Sequence, residues 1–276
     1  MRNKLLVVFT LLICAPAMAQ INDDTDRSVD QAIAVLRGRQ ADVRRAKAVL
    51  ERVFVFPAGA APVSLTLPDM PDRMHGSFNP YLGIIRINNR PQVSSYAALI
   101  TFHEAGHWFD NQVLAPRLVS GASPVAFASE ANAPALIAWH AAIKKTKTWA
   151  GLQQLIKSPN TVKGSSREAY LKYVTGPDEM FARAFCYYVA RKSGDPEILA
   201  DLATYTQSDW PWNGGWYADD FKPVERVMDE LFTKYGWLKA AKKETEPYGK
   251  SIDLPHRSPS DHRAGTEPLQ DGFAGR

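Results

Sequence analysis

The stretch "TFHEAGHWFD", residues 101–110, places two histidines four positions apart, with a glutamate directly after the first. On an α-helix, positions i and i+4 project from the same face, so His103 and His107 can direct a ring nitrogen at one metal ion. Glu104 lies one step round the helix, close enough to reach a water molecule at that ion. This pattern is typical of zinc hydrolases, in which the glutamate acts as general base.

The alternative is an ordinary surface helix that happens to carry histidines. Two features of the sequence disfavour it. The motif lies between the apolar residues 97–100 and 108–109, where buried ionisable groups would be costly without a partner such as a metal ion. Gly106 stands in mid-helix at a cost of about 1 kcal/mol relative to alanine. A close contact between two backbones would explain it.

A hydrolytic zinc site needs a third protein ligand and one open position. A histidine six residues after His107 would define one large class of enzyme, but that residue is Val113. Two candidates follow: Glu130 in "FASEANAP" and Glu179 in "GPDEMFARAF". The residues favour Glu179, because it opens an apolar helix in which a charge on the inner face is out of place. Alternatively, Glu179 has no role at a metal and is a glutamate in the first turn of a helix, where the helix dipole stabilises its charge.

Three further side chains are candidates for supporting roles. Asp110 could accept a hydrogen bond from a ligand histidine and fix its tautomer, or it could be an ordinary residue near the end of the helix. Tyr173, in a predicted loop before the Glu179 helix, could donate to the oxyanion that forms when water attacks a carbonyl. Tyr170 is the second candidate for that role. The alternative for each tyrosine is that it is an aromatic side chain packed in the core.

The rest of the chain predicts an α+β fold. A capping box at Ser28 opens a helix that ends before Pro57, "VSLTL" alternates as a strand does, and "GSFNPYLGIIRINN" predicts a hairpin that turns at Asn79 and Pro80. Helices are predicted from Ser94 or Ser95 past Asp110, after Ser123 and Pro124, over "TWAGLQQLIK", over "GPDEMFARAFCYYVAR" and over "PVERVMDELFTKYGWL". We therefore expect a small N-terminal β-sheet packed on the HExxH helix, with a mostly helical C-terminal lobe.

The N-terminus predicts a signal peptide over residues 1–19. Arg2 and Lys4 precede an apolar run over residues 5–14, and "AMA" at 17–19 fits the small-x-small cleavage pattern. That run is too short to span a bilayer comfortably. We therefore expect an exported protein, periplasmic or extracellular, without stable membrane insertion.

The mature chain divides into three predicted parts. Residues 20–92 form the N-terminal helix and small sheet, residues 93–240 form the HExxH helix and helical lobe, and residues 241–276 form a flexible polar tail. Loss of Arg2 and Lys4 lowers the net charge from +4 to +2. A net charge of this size does not indicate a nucleic-acid-binding protein. The basic residues at 37–47 are interpreted as a solvent-exposed helix face.

One cysteine, Cys186, remains after residue 19, so the mature chain has no internal disulfide. A single cysteine in an apolar helix is most simply a small buried residue. The alternative is a reactive thiol.

The two segments "HEAGHWFD" and "YVTGPDEMFARAF" together resemble the catalytic domain of the anthrax lethal factor metallopeptidases and related zincin-like proteins. The resemblance covers about residues 93–190 and is specific at the two helices. In that family an aspartate stands at the position of Asp110, and the third zinc ligand opens a helix of the form E-x-F-A-x-A-F, which matches Glu179. A tyrosine shortly before that glutamate assists catalysis. Tyr173 is the nearest match, one residue closer, and Arg183 stands where lethal factor has a second acidic residue.

The resemblance implies a zincin-like fold in which His103, His107 and Glu179 hold Zn²⁺ and Glu104 is the general base. In the wider zincin fold an edge strand above the cleft pairs with an extended peptide, and we expect "GIIRINN" to be that strand. The toxin's carrier-binding and substrate-binding domains have no counterpart here, so a shared substrate does not follow.

The leading hypothesis is an exported zinc metallopeptidase that acts on a peptide or protein, with residues 28–56 or the tail as a segment removed on maturation. One alternative is a non-catalytic, zinc-stabilised binding module whose contact surface is the loop of Trp210, Trp212, Trp216 and Tyr217. Another is a hydrolase of cell-wall peptides or amides. Glu104 argues against the non-catalytic alternative, because a degenerate enzyme has no reason to keep it.

Overall fold

The computed structural model describes residues 40–56, 64–71, 74–88, 96–131, 133–208, 211 and 214–239. The predicted signal peptide at 1–19, the helix cap at Ser28 and the tail at 241–276 lie outside the described residues, as do Trp210 and Trp212.

The described chain has α+β architecture, as predicted, with three short strands and a majority of helix. The N-terminal part contains α1 (Gln40–Val53), β1 (Ser64–Thr66), β2 (Gly76–Asn79) and β3 (Ile84–Ile87). The central part contains α2 (Ala97–Trp108), a π-helical segment (Phe109–Leu114), α3 (Ala115–Leu118), a 3-10 turn (Pro134–Leu136), α4 (Ile137–Lys144) and α5 (Lys147–Lys157). The C-terminal part contains α6 (Ser166–Val174), α7 (Pro177–Ser193), α8 (Pro196–Ser208) and α9 (Ala218–Lys234).

Helices α2 and α7 form the centre of the protein and pack closely on each other. Gly106 makes this approach possible, because a Cβ atom there would lie 2.7 Å from the Cα of Ala182 and 3.0 Å from its carbonyl oxygen. The close backbone contact that the mid-helix glycine predicts is therefore confirmed. Pro177 occupies the first turn of α7, as predicted, where its missing N–H leaves no hydrogen bond unmade.

The sheet has the order β1-β3-β2. The predicted hairpin is confirmed, because β2 pairs antiparallel with β3 from Gly76 opposite Ile87 to Asn79 opposite Ile84. The prediction that "GIIRINN" is an edge strand is wrong. Strand β1 pairs parallel with the other side of β3, so β3 is the central strand, and Ile85 and Ile87 are fully buried. The edge strand beside α2 is β2.

Helix α1 is an integral part of the core. Its residues Val43, Ala46, Val49 and Leu50 are buried, and it packs on both α2 and α7. Phe54 follows it and lies in a cluster of aromatic rings, 5.2 Å from the ring of Phe185 between centroids. Removal of residues 40–56 would expose this core, so the structure does not favour them as a maturation segment.

The basic side chains of α1 face outward, as the sequence predicts. Arg45 pairs with Glu197 of α8, and Lys47 pairs with Glu51 one turn on, at 2.7 Å. No helix among the described residues is long and apolar enough to cross a membrane.

Two predicted helix boundaries are wrong, and two helices are additional. Residues 124–131 form turns, and helical structure resumes only at Pro134. Helix α9 begins at Ala218 rather than at Pro223. Its early start places Asp220 where the carboxylate accepts hydrogen bonds from the backbone N–H groups of Lys147 and Thr148 and caps α5. The additional helices are α6 and α8.

Trp216 and Cys186 are both buried, as the sequence favours. Trp216 is buried against the rings of Tyr187 and Phe221, so this part of the Trp-rich loop belongs to the core. Cys186 is buried, and its thiol donates to the carbonyl oxygen of Leu99 at 3.2 Å.

Candidate metal centre

Helix α2 brings the two histidines of "HEAGH" to the face that packs on α7. His103 is 8% exposed and His107 is 9% exposed. Their rings lie 4.9 Å apart between centroids and are nearly perpendicular. Both imidazoles therefore sit in a nearly dry environment, where a polar partner is required.

Glu179, in the first turn of α7, supplies that partner. Its Oε1 lies 3.5 Å from Nε2 of His103, and its Oε2 lies 3.4 Å from Nε2 of His107. One ligand atom from each of these three residues lies within 4.8 Å of the others. Glu179 itself is fully buried.

This spacing fits a tetrahedral metal site. Bonds of about 2.0–2.1 Å from zinc to its ligands place neighbouring ligand atoms about 3.3–3.4 Å apart. The distances of 3.5 Å to Oε1 and 3.4 Å to Oε2, each to a different oxygen of Glu179, are close to that value and lie beyond the usual range of about 2.7–3.2 Å for hydrogen bonds. The buried His-His-Glu group could therefore hold a metal ion, and two imidazoles with one carboxylate are a donor set that suits zinc.

Glu130, the other candidate for the third ligand, is not part of this group. It lies in a turn and is exposed. Among the described residues, His103, His107 and Glu179 form the one cluster with metal-ligand spacing, so the choice of Glu179 over Glu130 agrees with the geometry.

The electrostatics of the cluster prepare Glu179 and His103 for ligation. Burial opposes the charged form of Glu179, but His103 and Arg183 hold the pKa of the carboxyl well below its usual range. Burial lowers the pKa of His103 and favours its neutral imidazole. His107 differs: burial again opposes its charge, but Glu179 raises its pKa to about 8. A metal ion must therefore displace a proton from His107.

Glu104 lies beside the cluster as a buried carboxyl group that is 2% exposed. Burial raises its pKa to about 8, and the nearby positive charge of His107 opposes this shift. No hydrogen bond from the described residues reaches its carboxylate. A buried carboxyl group without a structural partner is costly, and such groups are concentrated at functional sites.

Gly76 of the edge strand leaves room for the Glu104 side chain. A Cβ atom at Gly76 would lie 2.8 Å from Oε1 of Glu104 and 2.8 Å from Cγ2 of Ile100. The close approach of β2 to α2 therefore requires glycine at this position, and the sequence analysis did not identify it.

Tyr173 lies on α6 and not in a loop as predicted. Its hydroxyl group donates to Oε2 of Glu179 at 2.6 Å. Burial raises the pKa of this phenol far above its usual range, so Tyr173 remains a neutral hydrogen-bond donor. The structure places Tyr173 at the cluster, whereas Tyr170 is partly buried and packs against the core.

Asp110 does not have the partner that the sequence suggests. Its carboxylate accepts hydrogen bonds from the backbone N–H of Ser129, at 3.0 Å, and from the Ser129 hydroxyl. Nδ1 of His107 is buried and has no hydrogen-bond partner among the residues that the structure describes. Asp110 therefore anchors the turn at residues 124–131, which carries Phe127 to within 5.9 Å of the His107 ring. Burial raises the pKa of Asp110 to about 7, although its bonds to Ser129 oppose this.

Comparison of the chain with protein-family models, with curated proteins and with solved structures finds no match. The functional conclusions below therefore rest on the geometry and chemistry of this site.

Proposed function

We propose that the protein is a zinc-dependent peptidase whose metal ligands are His103, His107 and Glu179. The observation that carries the proposal is the buried carboxyl group of Glu104, to which no described residue donates a hydrogen bond, beside a His-His-Glu cluster with metal-ligand spacing. A zinc site that only stabilises the fold is almost always closed by four protein ligands, and it does not need a further buried carboxyl group beside them.

A zinc ion in this site would act as a Lewis acid, polarising a substrate carbonyl and lowering the pKa of water. Glu104 would accept the proton from the attacking water and transfer it to the leaving amine. A pKa raised to about 8 by burial suits both steps, because the group can gain and lose a proton near neutral pH. Tyr173, whose hydroxyl donates to Oε2 of Glu179 in this structure, would turn that donor to the oxyanion as charge develops there.

A peptide substrate suits the edge of the sheet beside Glu104. Strand β2 pairs with β3 on one side, and no other described strand pairs with its second side. Extended peptides bind such edges by adding a strand, through backbone hydrogen bonds that do not depend on sequence. Gly76, in contact range of Glu104, is part of this edge, so a bound peptide would run past the general base.

Export to the periplasm or the extracellular space remains part of the proposal and rests on the residue pattern of positions 1–19. Cleavage of a cell-wall peptide or amide is an alternative that uses the same site and the same chemistry. The two substrate classes would differ in the chemical groups that the site binds. Both would use the same metal ligands and the same general base.

The decisive variant is Glu104→Gln, with Glu130→Gln as a matched control at an exposed glutamate. Both proteins are loaded with zinc and assayed on an unfolded protein and, separately, on soluble cell-wall fragments. We expect Glu104→Gln to retain its metal and lose turnover, while Glu130→Gln remains active. Full activity of Glu104→Gln would refute the role of the base. Metal binding without activity of the unaltered protein on either substrate would favour the binding module.

A further inference from the structure

The hydrogen bonds of the β2–β3 hairpin determine which main-chain groups of β2 face its free edge. Directly opposite residues in an antiparallel pair alternate between pairs that exchange N–H···O bonds and pairs that do not. Asn88 donates its backbone N–H to the carbonyl oxygen of His75 at 2.9 Å. The next pair, Gly76 opposite Ile87, is therefore not hydrogen-bonded, and the N–H and C=O groups of Gly76 point away from β3.

Phe78 repeats this orientation two residues later along β2. It lies opposite Ile85, whose carbonyl oxygen accepts a hydrogen bond at 3.5 Å from the hydroxyl of Thr66 on β1. Ile85 thus directs its carbonyl group to β1 and not to Phe78. Gly76 and Phe78 each present one donor and one acceptor at the free edge, and by this register no backbone hydrogen bond among the described residues uses them.

The free edge is short. Two residues of a strand span about 7 Å, and the next outward position is Pro80, which has no N–H. The carbonyl oxygen of Pro80 accepts a hydrogen bond from Nε2 of Gln112 at 3.3 Å. A chain added to β2 therefore gains backbone hydrogen bonds only beside Gly76 and Phe78, so other contacts must supply the rest of its affinity.

Two large apolar side chains lie immediately beyond this edge, in the turn of the hairpin. Tyr81 is 77% exposed and Leu82 is 62% exposed. The turn is ordered, because the N–H of Leu82 donates to Oδ1 of Asn79 at 3.1 Å and the N–H of Gly83 donates to the Asn79 carbonyl oxygen at 2.8 Å. Gly83 has a φ of +64°, which favours glycine. Adjacent apolar groups displayed on a fixed turn are typical of a contact surface.

We infer that Tyr81 and Leu82 form a subsite for an apolar side chain of the extended peptide that binds beside β2. The inference rests on the proposed peptidase and adds the chemistry of its substrate. A Cβ atom at Gly76 would lie 2.8 Å from Oε1 of Glu104, so a peptide strand paired with Gly76 passes the general base. In the direction of Phe78 the same strand continues to the turn, which makes the peptide the occupant that the geometry favours.

The position of the apolar residue in the substrate follows from the length of β2. Tyr81 is five residues after Gly76. At about 3.4 Å per strand residue, the apolar side chain should lie about three to five residues from the bond that is cleaved.

The test begins with cleavage of a random peptide library by the full zinc-loaded chain, with cleavage sites identified by mass spectrometry. We expect enrichment of leucine, isoleucine, phenylalanine or methionine about three to five residues from the cleaved bond, on one side only. A selected peptide is then compared with its analogue that has serine at the enriched position. The unaltered protein should cleave the apolar peptide with a KM about tenfold lower and the same kcat, because a contact remote from the reacting bond adds uniform binding.

The double variant Tyr81→Ser with Leu82→Ser should lose this difference. Its KM for the apolar peptide should rise about tenfold, with cleavage of the serine peptide unchanged. Neither β2 nor the turn needs a metal, so binding of the apolar peptide to the metal-free protein, followed by fluorescence anisotropy, should weaken to the same extent. Tyr81→Phe keeps the apolar ring and should retain the preference. Val162→Ser is the matched control, since Val162 is also apolar and 66% exposed but lies between α5 and α6.

The outcomes separate the subsite from the peptidase. Absence of an apolar preference in the unaltered protein, or an equal loss in Val162→Ser, would overturn the inference and leave the peptidase intact. Binding to phospholipid vesicles that the double variant loses, with its peptide cleavage unchanged, would assign the turn to a lipid surface and also overturn the inference. Each single serine substitution repeats the test if the double variant does not fold. Failure of the unaltered zinc-loaded protein to cleave any peptide would instead contradict the proposed function, and the inference with it.

Discussion

Replacement of Gly106 by alanine tests how the fold holds the two halves of the metal centre together. Helix α2 carries His103 and His107, helix α7 carries Glu179, and the helices touch at Gly106. A Cβ atom added at Gly106 meets backbone rather than a flexible side chain, because its nearest neighbours are the Cα and carbonyl oxygen of Ala182. The helices must therefore separate.

The size of the effect follows from the distances. The added Cβ would lie 2.7 Å from the Cα of Ala182, whereas ordinary contacts begin at 3.4 Å, so the backbones must move by about 0.7 Å. A shift of that size would lengthen the separations of 3.4 and 3.5 Å between the histidines and Glu179 to about 4 Å, beyond the edge of a tetrahedral zinc site at about 3.4 Å.

Stability and metal affinity should respond to different degrees. Overpacking costs about 1–3 kcal/mol, and the higher helix propensity of alanine offsets about 1 kcal/mol of this. We expect Gly106→Ala to lower the free energy of unfolding by about 1 kcal/mol. Because the ligands are displaced, we expect zinc affinity to fall by about tenfold or more.

The assay combines urea unfolding of the metal-free protein with a competition titration for zinc. Gly151→Ala is the matched control, since Gly151 is also helical but would meet only the side chain of Pro211, at 3.0 Å. It should leave zinc affinity unchanged. If Gly106→Ala bound zinc as tightly as the unaltered protein, the contact between α2 and α7 would not be what aligns the ligands.

Further predictions concern the hydroxyl group of Tyr173, the protons bound by His107 and Glu104, and the thiol of Cys186. Tyr173→Phe should lower kcat by about 10²–10³-fold, the usual effect of losing one oxyanion donor, with zinc content unchanged and Tyr170→Phe as the control; an equal loss in both would contradict the assignment. Because the pKa of His107 is raised to about 8, its bound proton competes with the metal, and zinc affinity should fall by about tenfold per pH unit below pH 8. Glu104 also has a pKa of about 8, so calorimetry in buffers of different ionisation enthalpy should show fewer protons released on zinc binding in Glu104→Gln; equal release in both proteins would show that Glu104 holds no such proton. Burial raises the pKa of Cys186 to about 12, so peptide mapping after alkylation at pH 8 should find it modified only in urea, and rapid modification of the native protein would contradict its buried position.

Much of the site could be predicted from sequence because it depends on short-range helical geometry. The spacing of His103 and His107 fixes one face of α2, and Gly106 indicates a close neighbour. The apolar surroundings of Glu179 indicate that its carboxylate points inward. Each of these inferences needs only the periodicity of an α-helix and the free-energy cost of placing a residue where it does not fit, such as a charged group in an apolar helix.

The arrangement of the strands could not be predicted in the same way. The turn residues between β2 and β3 indicate a hairpin, but the strand order depends on where β1 returns to the sheet. Its parallel pairing with β3 is a long-range contact that leaves no local sequence signal. This is why the edge beside the site was assigned to β3 instead of β2.

The contacts around the metal ligands depend on tertiary structure to different degrees. Asp110 was a candidate partner of a ligand histidine, with an ordinary helix residue as the alternative, but its carboxylate instead accepts a hydrogen bond from the backbone of Ser129. The contact of Gly76 with Glu104 needs the sheet to be placed on α2. The ion pair of Arg183 with Glu179 had a detectable signal, because the two residues are four apart on one helix, the spacing of an ion pair.

The most direct test of the metal centre is the zinc content of the purified protein, measured by elemental analysis beside the Glu179→Ala and Glu130→Ala variants. The account predicts one zinc ion per chain in the unaltered protein and in Glu130→Ala, and loss or weakening of that ion in Glu179→Ala. Absence of metal from protein shown to be folded, or equal zinc content in all three proteins, would contradict it.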